Sequence, residues 1–131
     1  MSVEKIENWK EPLPEDCPPV DATSPNNELY FRLVTQDPPL ESDFYSNRKL
    51  FPLLHFNTSE CVARSISIFK CIKSCGQIRK LPAHKNKLIA KLTLSAEAGL
   101  IKKSGRPKHY SWWIRKDFNP IEFSEIVNEK S

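Results

Sequence analysis

The hexapeptide RSISIF, residues Arg64 to Phe69, is compatible with either a helix or a strand. The fold of the chain depends on which of the two it forms. Within a continuous helix over residues 60–76, it contributes to a stripe of apolar and small residues at helical spacing. As a strand, it leads into a separate helix that begins near residue 71. Four of the eight residues at 62–69 are β-branched or aromatic, which favours the strand, whereas Thr58 and Ser59 are good helix N-caps. The local pattern leaves both alternatives open.

Strands are predicted on both sides of this hexapeptide, because apolar and β-favouring residues alternate there. A Gly-Pro turn at 105–107 separates two of them. The predicted strands are ELYFRLVTQ at 28–36, KLIAKLTL at 87–94, a strand that starts in AGLIKK and ends before the turn at 105–107, HYSWWI at 109–114 and IEFSEIV at 121–127.

The length of 131 residues predicts one small domain with a single core. We expect an α+β fold over residues 28–131, with a strand-rich split sheet and one or two helices. Residues 1–27 contain five prolines among acidic and small polar residues, so they predict an acidic, Pro-rich N-terminal arm that is extended or partly disordered.

The formal net charge of +4 conceals a strong charge asymmetry. Residues 1–31 contain two lysines and seven acidic residues, whereas residues 64–116 contain fourteen Lys or Arg and one acid, Glu97. The positive field of residues 64–116 attracts a polyanion such as a dinucleotide or a nucleic acid. The alternative is a solvated surface over which the acidic arm folds.

The four cysteines predict free thiols rather than a disulfide framework, and their spacing does not predict a metal site. Cys71 and Cys75 are expected to face the core as small apolar residues. No run of about 18 apolar residues is present, so we expect no membrane interaction. The acidic N-terminus has no apolar segment typical of a secretory signal, which predicts a cytoplasmic protein.

The order of LYFRL, ARSISIF, a helix, a strand and HYSWW resembles the ADP-ribosyltransferase-like superfamily, including RES-type toxins that attack NAD. The resemblance covers about residues 28–127. It places Arg32 on the first strand and Ser65 with Ser67 on a hydroxyl-bearing strand. The superfamily's acidic motif before the last strand is replaced here by IEFSE, in which Glu125 is the candidate acid.

The resemblance implies NAD as substrate and Arg32, Ser65 and Glu125 as catalytic residues. Cleavage of the nicotinamide–ribose bond develops positive charge on the ribose, which a carboxylate such as Glu125 would stabilise. The implied NAD-binding residues are Arg32, Ser67, His109, Tyr110 and Trp112, with Arg32 forming a forked contact and the aromatic rings stacking.

A second hypothesis is a non-enzymatic nucleic-acid-binding module with a winged-helix-like ending. In that case Lys102, Lys103, Arg106 and Lys108 on the basic turn contact phosphates. If residues 60–76 are helical, Arg64, Lys70, Lys73, Arg79 and Lys80 form a basic helix that supports the same function. The third hypothesis is a protein-interaction partner such as an antitoxin or inhibitor.

Overall fold

A computed structural model describes residues 8–105 and 108–127 of the chain. Its centre is a six-stranded antiparallel sheet with the strand order β4-β5-β2-β1-β3-β6. The strands are β1 (Glu28–Val34), β2 (Ile66–Phe69), β3 (Leu88–Leu94), β4 (Gly99–Lys103), β5 (His109–Ile114) and β6 (Ser124–Val127). The predicted α+β, strand-rich class is confirmed.

Within the described residues, three short helices accompany the sheet, whereas the sequence predicts one or two. They are α1 (Asn47–Leu50), α2 (Glu60–Ala63) and α3 (Ile72–Ile78). Single 3₁₀ turns are formed by Glu41–Phe44, Pro82–His84 and Ala96–Ala98. Ser59 is the N-cap of α2 and accepts a hydrogen bond through its side chain, as expected. Ser46 caps the N-terminus of α1 in the same way.

The RSISIF hexapeptide is a strand followed by a helix. Ser59 starts a helix, but that helix lasts one turn, and residues 66–69 then pair with β5 in the register Ile68↔Tyr110. Ile66 and Ile68 are buried beneath this pairing, so tertiary packing settles what the local pattern leaves open. The alternative prediction, a continuous helix over residues 60–76, is wrong.

Each face of the sheet carries an apolar core. The front face carries the larger core, which includes Tyr30, Ile68, Leu92 and Trp112 and is closed by Phe44. The back face carries a smaller core in which Phe69 and Ile89 pack against Cys75 of α3. Ser67, Ser111 and His109 belong to the back face, because successive side chains alternate along β2 and β5.

Two cysteines form a disulfide, which corrects the prediction of free thiols. Cys17 lies in the N-terminal segment and bonds to Cys61 of α2, 44 residues later. The segment also pairs with β4 through Thr23 and Ile101, in two backbone hydrogen bonds of 2.9 and 2.8 Å. The spacing of the cysteines gave no sign of this bond, because only the packing of the segment brings them together. Cys75 is buried, as expected.

None of the helices in the described ranges is long and apolar enough to cross a membrane.

Candidate functional site

The Arg32 side chain bridges β2 and a neighbouring turn where the sheet is weakly paired. β1 and β2 share one registered pair, Phe31↔Phe69, so the strands separate beyond it. The Arg32 guanidinium donates from Nη1 to the Ser67 carbonyl at 2.7 Å and from Nε to the Asp43 carbonyl at 2.9 Å. The Asp43 carboxylate fixes the same turn by accepting bonds from Thr35 and from the Leu40 backbone N–H. Arg32 is therefore engaged by the protein's own backbone.

Partial burial changes the electrostatics of this guanidinium. Loss of surrounding water lowers the pKa of Arg32 to about 10, and the nearby Asp43 carboxylate opposes that shift. Arg32 is still a cation at neutral pH. Because its Nε and Nη1 donors are directed at carbonyl groups, its main effect is to hold β1, β2 and the 41–44 turn together.

Arg32→Ala is expected to lower the free energy of unfolding by about 2 kcal/mol, because the Asp43 and Ser67 carbonyls both lose a charged hydrogen-bond donor. Urea denaturation followed by circular dichroism measures this change. Lys91→Ala is the matched control, since it removes a strand cation whose partner Glu125 is 71% exposed, and it should cost under about 0.5 kcal/mol. Equal unfolding midpoints for Arg32→Ala and wild type would contradict the bridging role.

Ser67 and His109 form a polar pair on the back face. The Ser67 hydroxyl lies 2.9 Å from His109 Nε2, and His109 Nδ1 lies 2.7 Å from the Ser104 carbonyl oxygen. Ser104 Oγ is also 3.0 Å from Ser111 Oγ. The sequence named Ser67 and His109 as NAD-binding residues, and the structure brings these two together.

The other residues implied by the resemblance lie apart from this pair. Ser65 is buried, and its hydroxyl donates to the Val62 carbonyl at 2.7 Å. Glu125 lies on the edge strand β6, three strands from β2, which corresponds to about 14 Å, and it pairs with Lys91. Arg32, Ser65 and Glu125 therefore do not meet in one cleft.

The two aromatic candidates differ in exposure. Trp112 is fully buried in the front core and donates from Nε1 to the Ala98 carbonyl at 3.1 Å, so it presents no ring face to a ligand. Tyr110 is half-buried and contacts Tyr30 edge-to-face, with ring centroids 5.5 Å apart. Burial, together with a hydrogen bond to Glu28, raises the pKa of Tyr30.

The basic turn between β4 and β5 is only partly available to a ligand. Lys102 forms an ion pair with Asp21 of the N-terminal segment at 3.1 Å, so the acidic arm does fold onto part of the basic half. Lys103 and Lys108 are exposed, and Arg106 lies outside the described residues. The helix that a winged-helix ending needs before β4 is here the single turn Ala96–Ala98.

A larger basic site lies between α3 and the segment that leads into β3. It is an open groove of about 700 Å³. Its lining consists of five cations and four uncharged residues: Lys73, Arg79, Lys80, Lys85, Lys87, Gly76, Gln77, Asn86 and Leu88. We call this site the basic groove. No carboxylate is present among its described lining residues.

Short backbone turns hold the two walls of the basic groove in place. Arg79 Nη1 donates to the Lys87 carbonyl at 3.2 Å, which ties the end of α3 to the start of β3. Successive turn hydrogen bonds run from Ile78 through Leu81 and His84 to Lys87. The cations are therefore presented on an ordered frame, in which Lys73, Lys80 and Lys85 are exposed.

Part of the basic groove was visible in the sequence. The sequence predicts Lys73, Arg79 and Lys80 on a basic helix, whereas Lys85 and Lys87 belong to none of its predicted binding surfaces. The signal for the whole groove is the density of positive charge, since residues 79–87 contain four Lys or Arg and no acid. Only the return of the chain beside α3 turns this run into a concave surface.

Comparison of the chain with family models, with curated proteins and with solved structures gave no match. The ADP-ribosyltransferase-like resemblance therefore stays a prediction.

Proposed function

We propose that this protein binds a nucleic acid backbone through the basic groove. The observation that carries the proposal is the lining of the groove, which combines five cations with no described carboxylate. Such a concave, single-sign surface concentrates the electrostatic field and attracts phosphates.

Basic residues outside the groove form ion pairs with carboxylates, which favours the groove over other basic surfaces as the phosphate-binding site. Glu28 neutralises Lys70, Asp21 neutralises Lys102, and Glu60 contacts both Arg48 and Arg64. By contrast, the groove lysines Lys73, Lys80, Lys85 and Lys87 have no ion pair with any residue of 8–105 or 108–127. The described part of the acidic arm, residues 8–27, thus contacts the β4–β5 turn through Asp21 and contributes no residue to the lining of the groove.

The chemistry of the lining indicates which part of a nucleic acid is contacted. Four of the five cations are lysines, which act as flexible point charges toward phosphate. The described lining contains no aromatic ring on which a base would stack. We therefore expect binding that depends little on base sequence.

NAD is a smaller candidate ligand for the same surface. Its pyrophosphate would meet the cations of the groove, but it carries far fewer charges than an oligonucleotide. NAD cleavage through Arg32, Ser65 and Glu125 gains no support from their separate positions. A competition experiment distinguishes the two ligands.

The test is fluorescence anisotropy of a labelled 20-nucleotide RNA at 50 mM salt. We expect saturable binding that unlabelled RNA of unrelated sequence displaces and that millimolar NAD leaves largely intact. Displacement by NAD at micromolar concentration would favour the dinucleotide. No binding of RNA or of DNA of the same length would overturn the proposal.

A second candidate function, protein interaction, is favoured by an apolar loop after α1. Leu50, Phe51, Leu53 and Leu54 are 45%, 53%, 99% and 53% exposed. Arg48 holds the loop backbone by donating to the Pro52 carbonyl at 2.7 Å and the Leu54 carbonyl at 3.0 Å. A rigid loop with four exposed apolar side chains suits insertion into an apolar pocket of a protein partner.

A photo-crosslinking amino acid at position 53, with position 42 as the control site, tests this second function in cells. We expect a discrete crosslinked protein from position 53 alone. Identical products from both positions, or none, would count against it.

The cytoplasmic location predicted from the sequence is a proposal as well. The Cys17–Cys61 disulfide is of a kind that persists mainly in oxidising compartments, which tells against a reducing cytosol. Rapid alkylation of the protein during extraction distinguishes the two compartments. Alkylation of all four cysteines supports the cytosol, and alkylation of Cys71 and Cys75 alone supports an oxidising compartment.

A further inference from the structure

We propose that Ser67 is a nucleophile activated by His109, and that it forms an acyl-serine with carboxylic esters that reach the back face of the sheet. The site is separate from the basic groove, because neither residue lines the groove. It therefore does not depend on nucleic acid binding.

The hydrogen bonds around His109 define which nitrogen accepts a proton. The Ser104 carbonyl oxygen can only accept, so at 2.7 Å from Nδ1 it places the proton of the neutral imidazole on Nδ1. Nε2 then carries a lone pair directed at Ser67 Oγ, 2.9 Å away. The result is a nucleophile, a base and an orienting acceptor in the order used for serine catalysis.

The orienting acceptor is a neutral carbonyl, where serine hydrolases usually have a carboxylate. A carbonyl fixes the imidazole tautomer and its orientation, but it stabilises the imidazolium less than a carboxylate does. The ring is also held by Phe69, whose centroid lies 5.2 Å from that of His109. We therefore expect a slow but specific reaction at Ser67.

Access and a neighbouring donor complete the arrangement. Ser67 is exposed on β2, although the residues on both sides of it are buried. Ser111 lies directly opposite Ser67 in the β2–β5 register, which places the two Cβ atoms about 5 Å apart on the same face. The Ser111 hydroxyl is thus a candidate donor to the oxyanion that forms when Ser67 attacks a carbonyl.

The reaction proceeds in two balanced steps. Ser67 Oγ attacks the ester carbonyl carbon while His109 Nε2 takes the hydroxyl proton. The tetrahedral oxyanion then collapses, and Nε2 returns that proton to the leaving alcohol as the C–O bond breaks. Water, deprotonated by Nε2, attacks the acyl-serine, and the carboxylic acid and free Ser67 are released.

The test is covalent labelling by p-nitrophenyl acetate and by a fluorophosphonate, followed by peptide mass spectrometry. We expect label on Ser67, no label at position 67 in Ser67→Ala, and labelling of Ser67 reduced about 100-fold in His109→Gln. Ser42→Ala, which removes an exposed hydroxyl at a distance from the site, should label as wild type does. Absence of label from Ser67 in the folded wild-type protein would overturn the proposal.

A second test uses cysteine variants and iodoacetamide, so that it does not depend on the choice of ester. In Ser67→Cys the new thiol should react with iodoacetamide at pH 7 at least 10-fold faster than the exposed thiol in Ser42→Cys. The added His109→Gln change should remove that advantage. Equal alkylation rates at positions 67 and 42 would show that His109 does not activate the residue at position 67, and would overturn the proposal.

Discussion

Replacement of Lys73, Lys80 and Lys85 by glutamate is expected to weaken RNA binding roughly 1,000-fold at 50 mM salt. These three lysines are the exposed cations of the basic groove. Each substitution removes a phosphate contact and adds repulsion, which together amount to about 1.4 kcal/mol per site. The fold should persist, because none of the three side chains is buried.

The matched control reverses three exposed lysines outside the groove, Lys103, Lys108 and Lys116. Both triple variants change the net charge by the same amount, so any difference between them reports position. Two of the control residues belong to the β4–β5 turn that the sequence offered as the interface. If the control loses binding and the groove variant retains it, the turn is the interface and the groove proposal fails.

Trp112→Ala is expected to lower the free energy of unfolding by about 4 kcal/mol. The side chain is fully buried, its ring contacts Phe118 edge-to-face at 5.9 Å, and its Nε1 donates to the Ala98 carbonyl. Truncation removes this apolar contact area and leaves that carbonyl without its donor. Urea denaturation measures the loss.

Leu29→Ala serves as the control for Trp112→Ala, because Leu29 lies on β1 but is 48% exposed, and it should cost under about 1 kcal/mol. A cost below about 1 kcal/mol for Trp112→Ala would mean that the ring is not part of the core. That outcome would restore Trp112 as a candidate platform for ligand stacking.

The sheet was largely predictable because most strands alternate over five or more residues. The sequence predicts β1 and β3 from such alternation and β5 from its aromatic residues, and it places Leu92 and Leu94 on the same face, which they share in the core. Ile89 was missed because it is buried on the opposite face, under α3. Two-sided burial breaks the simple alternation that sequence patterns reveal.

Features that depend on distant segments were not predictable. The four-residue strand β2 is too short for its own pattern to exclude a helix, and pairing with β5 decides its conformation. The Cys17–Cys61 bond depends on how the N-terminal segment crosses the domain. Arg32 was expected to share a cleft with the Ser67 hydroxyl, yet it binds the Ser67 carbonyl instead.

The salt dependence of RNA affinity tests the central claim, phosphate binding by the basic groove, most directly. Four phosphate contacts, one for each lysine of the groove, predict a slope of log affinity against log salt concentration of about −2.8 to −3.6. The groove variant Lys73→Glu, Lys80→Glu, Lys85→Glu should reduce the magnitude of the slope by about 2 to 2.7, which is about 0.7 to 0.9 for each of the three lost contacts. A wild-type slope between 0 and −1, or an unchanged slope in the groove variant, would contradict the claim.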